Sequence, residues 1–152
     1  MTKKTRLLPL IAIAALIGGP VASPALAQSS ETLDIDVSQG KACWAEAYTN
    51  AGATWTMTLK DGDDTVAVFQ GAGTNFAPMQ VIEGSARFTV KSSITATFTS
   101  GTGMVDMQIV YSTINSPNGD PAVFGHLIGG EDSTDDDWQD ILANITCLHH
   151  AG

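Results

Sequence analysis

Positive charge is what this 152-residue sequence has least of: 7 Lys and Arg stand against 16 Asp and Glu. Three of the basic residues, Lys3, Lys4 and Arg6, lie at the extreme N-terminus. From residue 28 onward only Lys41, Lys60, Arg87 and Lys91 remain, a formal charge of −12 for that segment. So few cations cannot neutralise a phosphate backbone, which excludes a nucleic-acid partner. The same deficit excludes docking on anionic headgroups. Acidic chains of this kind bind cations, basic proteins or neutral ligands. No low-complexity tract and no repeat with a period of 20–50 residues is present, which excludes disordered linkers and solenoids. A phosphate loop, a zinc-ligand spacing and a Ser/His/Asp set are also missing. The acids are too many and too clustered to single out a glycosidase acid and nucleophile. The sequence reads as a non-enzyme.

The N-terminus has the three parts of a secretory signal: the basic start, an apolar stretch from Leu7 to Val21, and Ala25-Leu26-Ala27. Cleavage after Ala27 is expected, leaving one domain over 28–152 that is exported, periplasmic or extracellular. The apolar stretch is short and broken by Gly and Pro, which argues against membrane insertion. Only two cysteines occur, Cys43 and Cys147. In an oxidising compartment they are expected to form one disulfide; metal ligation or catalysis by the pair is the lesser alternative.

What is abundant is alternation with a period of two. Ala53, Trp55, Met57 and Leu59 alternate with Thr54, Thr56, Thr58 and Lys60, a half-buried strand. Asp61-Gly62 and a second β-prone run, 65–69, predict a hairpin. Further strands are predicted over 86–91, 94–98 and 104–111. Weaker ones are predicted over 32–37, 42–49, 78–83 and 122–128. Turn chemistry falls at Ser100-Gly101, Asn118-Gly119 and Gly129-Gly130. After residue 138 the pattern fits a helix (Trp138, Ile141, Leu142, Ile145, Leu148) as well as a strand (Ile141, Ala143, Ile145, Cys147). The fold class is all-β: an antiparallel β-sandwich of about 8–9 short strands.

Chemistry concentrates between Glu131 and Asp140, where six acids fall within ten residues. Their mutual repulsion would strain an ordered loop unless a cation compensates it. Closely spaced hard oxygens suit Ca²⁺, which takes six to eight of them. The spacing is not that of an EF-hand, and a solvated acidic turn is the plain alternative. Elsewhere, alternation turns Trp55 toward the core, and packing is expected for Trp138. His126 reads as a satisfied core or edge histidine, and His149 and His150 as a flexible tail. Trp44, Trp55 and Trp138 are the aromatic platforms on which a sugar could stack.

The run Gly130-Glu131-Asp132-Ser133-Thr134-Asp135-Asp136-Asp137-Trp138-Gln139-Asp140 resembles the signature of the two-calcium bacterial fucose/mannose lectins, the LecB-like lectins. Ala47-Tyr48-Thr49-Asn50 and the segment from Gly71 to Phe98 extend the resemblance, which covers about residues 38–147. It implies a calcium-dependent lectin, with two Ca²⁺ ions per subunit and a neutral fucose- or mannose-type sugar chelating them through vicinal hydroxyls. Glu131, Asp135, Asp137 and Asp140 would hold one ion; Asn50, Asp137, Gln139 and Asp140 would hold the other. Asp132 would lie at the sugar, with Ala51 and Gly52 and with Asp135, Asp137 and Asp140 of the loop. A homodimer is also implied. The sequence departs from the pattern at Gln139, where the family has Asn, at the bare Ala51-Gly52-Ala53, and in a C-terminal tail about two residues longer. The alternative reading is a calcium-stabilised structural or adhesion module that binds no sugar.

Overall fold

The computed structural model describes residues 29–102, 105–132 and 139–149. The expected export segment lies outside them. The described chain folds into nine strands: β1 (Ser30–Ile35), β2 (Ala42–Asp61), β3 (Asp64–Pro78), β4 (Gln80–Gly84), β5 (Arg87–Thr89), β6 (Ile94–Ser100), β7 (Asp106–Asn115), β8 (Pro121–Glu131) and β9 (Ile141–Leu148). All pairings are antiparallel and follow the order β1-β6-β2-β9-β8-β7. β3 and β5 pair with the other edge of β2, and β4 pairs with β3.

β2 organises the molecule. Its first half, Ala42–Thr49, pairs with β9, and its second half, Trp55–Asp61, pairs with β6. One 20-residue strand therefore serves both layers, and the change of partner falls at residues 50–54. Ala51-Gly52-Ala53 is part of this strand, distorted by register shifts against β3. At the open side of the sheet the Met107 amide donates to Glu31 Oε2 at 2.9 Å, linking β7 to β1 and nearly closing the structure.

Burial follows the alternation. Trp55, Met57 and Leu59 on β2, Ile94, Ala96 and Phe98 on β6, and Ile141, Ala143, Ile145 and Cys147 on β9 point into one core. That resolves the ambiguous tail as a strand. Its neighbours β2 and β8 satisfy its backbone on both edges, which a helix could not offer them. Cys43 and Cys147 face each other in register across β2 and β9, Cα atoms 4.1 Å apart, and form the disulfide.

Three local expectations change. The β2–β3 hairpin loop is Gly62-Asp63, one residue later than Asp61-Gly62. Gly62 has φ +62°, the positive angle a two-residue turn of this hand demands. Gly129 and Gly130 do not turn at all; they continue β8. A Cβ at Gly130 would collide with the Met107 sulfur and come within 2.7 Å of Ile141 Cγ2, so this glycine permits close packing instead. His149 is docked: its amide donates to the Ala122 carbonyl at 2.9 Å, and Lys41 Nζ lies 2.8 Å from its Nδ1. His126 is buried as expected, its ring nitrogens 3.2 and 3.3 Å from the Ile145 and Asp36 carbonyls.

Candidate metal centre

The end of β8, the start of β9 and the partner switch of β2 meet at one place. Strand pairing sets this up, because β8 and β9 register Gly130 against Ile141, and β2 and β9 register Thr49 against Ile141. Residues just beyond those pairs are forced together. The Asp140 amide donates to the Gly130 carbonyl at 3.1 Å, and the Asp140 carbonyl accepts from the Asn50 amide at 2.8 Å. Glu131, Asp132 and Asp140 thereby bring carboxylate oxygens within 4.8 Å of one another.

These carboxylates are withdrawn from water. Glu131 is 2% exposed and Asp132 8%, and Asp140 is half-buried. The Asp132 amide donates to Asp140 Oδ2 at 2.9 Å. Burial pushes the Asp140 carboxyl up to about 7, and the charges of Asp132 and Glu131 add to the rise; the backbone bond from Asp132 opposes it. The group is therefore short of positive charge. Three hard carboxylate oxygens held this close, with the Asn50 backbone bonded to Asp140 and Gln139 next to it in the chain, form a donor set that fits Ca²⁺.

Asn50 is positioned from a second direction. Its Oδ1 accepts from the Asn75 amide at 2.8 Å. Asn75 and Phe76 have φ of +63° and +54°, a left-handed kink inside β3. Asn tolerates that region and Phe resists it, at a cost of about 1–2 kcal/mol. The bond to Asn50 helps to hold the kink. Ala51 packs into the core, while Gly52 is exposed and a Cβ there would meet nothing within 4 Å. Gln139 is exposed beside Asp140. Asp135 and Asp137, expected as ligands, lie outside the described residues, as does Trp138.

Two supporting residues carry no signal in the sequence. Ser100 Oγ donates to Asp132 Oδ2 at 3.1 Å, and Thr102 Oγ1 donates to the Asp132 carbonyl at 2.9 Å. Both sit at the end of β6, some thirty residues before the carboxylate they orient. A serine followed by glycine at a strand end reads as a turn, and only the packed structure reveals its partner.

A sequence model of the fucose-binding lectin II (PA-IIL) family matches residues 35–149, from the end of β1 through β9 and including the acidic run. The chain belongs to this family. No match is found among curated protein sequences. Solved structures share the fold. A Ralstonia solanacearum high-affinity mannose-binding lectin superposes with a TM-score of 0.60 at 20% identity, over 72% of this chain and 90% of that one. The Chromobacterium violaceum lectin CV2L, solved with α-methyl-fucoside, gives 0.57 at 19% identity over the same shares. The C-terminal domain of the lectin BC2L-C from Burkholderia cenocepacia gives 0.53 at 19%, over 78% of this chain and 96% of that one. At these identities the superpositions speak for the fold; membership rests on the family match.

Proposed function

We propose that this protein is a calcium-dependent lectin for neutral sugars of the fucose or mannose type. The observation that carries the reading is the convergence of Glu131, Asp132 and Asp140 beside Asn50, in a chain that matches a fucose-binding lectin family over 35–149. The fold neighbours in complex with a fucoside or described as mannose-binding support the sugar class. The structural module without sugar binding is not favoured by these relatives.

In this reading Glu131 and Asp140, with Asn50, Gln139, Asp135 and Asp137, hold one or two calcium ions, and Asp132, expected at the sugar, joins them because its buried carboxylate converges with theirs. Bound calcium supplies direct ion–dipole contacts to the oxygens of vicinal sugar hydroxyls. The chain's own part is to hold the carboxylates converged and, once they are ionised, to accept hydrogen bonds from the sugar hydroxyls, which are charge-assisted. Gly52, exposed beside Asn50, leaves room at the sugar instead of contacting it. Nothing in this role calls for catalysis. The basic N-terminal segment with its Ala25-Leu26-Ala27 exit supports export, to the periplasm or beyond. Pairing of two copies belongs to the same proposal and is read by sedimentation equilibrium.

The test is retention on immobilised fucose and mannose. The chain should bind in calcium, elute with chelator, and rebind when calcium returns. Retention that chelator leaves untouched would refute the calcium mechanism. A chelated protein whose melting temperature rises with calcium, yet which never binds either sugar, would refute the lectin.

A further inference from the structure

We infer that the chain carries a second ligand site, for a monoanionic sugar ring such as a uronic acid, in the hollow between Trp44 and Arg87. The hollow has a volume of about 580 Å³ and is lined by Ala42, Trp44, Arg87, Phe88, Thr89 and Leu148. That volume suits a mono- or disaccharide. It lies six residues along β2 from Asn50, about 20 Å at the rise of a strand, so it is separate from the carboxylate group.

Strand pairing builds the hollow. Trp44 is paired with Arg87 across β2 and β5, and Ala42 with Thr89. Directly opposed residues share a face, with Cβ atoms about 5 Å apart, so the indole and the guanidinium stand side by side on the outer surface. Leu148, opposite Ala42 on β9, extends the floor. Trp44 is 38% exposed, in contrast to fully buried Trp55. Among the described residues β5 pairs with β2 alone.

The charge pattern selects the ligand. Arg87 is the single arginine after residue 6 in a sequence with 16 acids. Among the described residues its guanidinium has no hydrogen-bond or ion-pair partner. An acidic domain that leaves Arg87, its one arginine after residue 6, unpaired beside an open indole holds a fork suited to a carboxylate. One guanidinium in so negative a chain matches a monoanion; a dianionic phosphate would need further cations. The indole offers a flat apolar face to the C–H side of a sugar ring, and Thr89 adds a hydroxyl at the rim.

The experiment uses the full exported chain in chelator, so that the carboxylate site cannot contribute. Glucuronate, galacturonate, glucose and benzoate are titrated separately by calorimetry. The uronates should bind saturably, and glucose at least tenfold more weakly. Arg87→Gln should weaken the uronates at least tenfold, and Arg87→Lys should recover only part, since an ammonium cannot make the two-point contact. Trp44→Ala should weaken them similarly, with Trp44→Phe as the milder variant if Trp44→Ala folds poorly. Arg87→Gln should keep its calcium-dependent retention on neutral sugars, which shows it folded. Uronates that do not bind, that bind no better than glucose, or that ignore Arg87→Gln would overturn the proposal. Benzoate binding more tightly than the uronates would overturn the sugar assignment.

Discussion

The amide of Asn50 donates to the carbonyl of Asp140 at 2.8 Å, joining two residues ninety positions apart. This bond couples the point where β2 changes partners to the start of β9. Through the Asp140 amide it also reaches Gly130, next to Glu131. The candidate ligands are thus positioned by backbone that the two layers must fix anyway, and the acidic loop is anchored at both ends by β8 and β9.

Asp140 should set an unusual pH dependence. Its carboxyl titrates near 7 in the metal-free fold, against about 3.9 unfolded. The folded state therefore holds a proton that the unfolded state has lost. The stabilisation from that proton is complete below about pH 4 and disappears as pH rises through 7. The chelated protein should show a falling melting temperature from pH 5 to pH 8. Calcium should reverse the trend, because it competes with the proton, and its apparent affinity should drop below pH 7. Thermal scans across this range with and without calcium check both. Asp140→Asn should flatten the chelated profile and weaken calcium at least about 100-fold, more than is typical for loss of a mere supporting residue.

Ser100→Ala removes the donor to buried Asp132 Oδ2 and leaves Thr102 Oγ1 on the Asp132 carbonyl. An orphaned buried acceptor costs about 1–3 kcal/mol. Calcium affinity should fall about 10–100-fold, as for other residues that orient a metal ligand. Calorimetric titration with calcium reads the affinity, and denaturant unfolding reads the stability.

Gly52 is exposed, has no positive φ, and offers open space to a side chain. Gly52→Ser should change stability by no more than about 0.5 kcal/mol, yet place a hydroxyl beside Asn50. The ratio of fucose to mannose affinity should shift while calcium affinity stays constant. Competition titrations with the two sugars measure the ratio.

The Cys43–Cys147 bridge closes a separation of 104 residues. For a loop of that length the chain-entropy account gives about 4–5 kcal/mol, with measured cases often smaller. The double substitution Cys43→Ala/Cys147→Ala should lower the denaturation midpoint strongly. Cys43 lies seven residues along β2 from Asn50, and Cys147 seven residues after Asp140, so calcium affinity at low temperature should be unchanged. A loss of calcium binding in the folded double variant would contradict that separation.

How far the sequence could be read follows from which forces are local. Alternation within β2, β6 and β9 is local, so core residues such as Trp55, Phe98 and Ile145 were legible. Six acids in ten residues are local too, and located the carboxylate group directly. The β9 tail was ambiguous because Ile141, Leu142 and Ile145 satisfy both periods, and only pairing with β2 and β8 decides between them. Gly129-Gly130 misleads because the glycine there makes room for Met107 and Ile141, a tertiary demand. Ser100 and Thr102 reach Asp132 across a layer, which no spacing along the chain could foretell.

Calorimetric titration of residues 28–152 with α-methyl-fucoside and with mannose, in calcium and again after chelation, decides whether sugar binding depends on calcium. Saturable heat is expected with at least one of them in calcium, and none in chelator. Sugar binding that survives chelation, or silence with both sugars while calcium itself still binds, would contradict the calcium-dependent lectin.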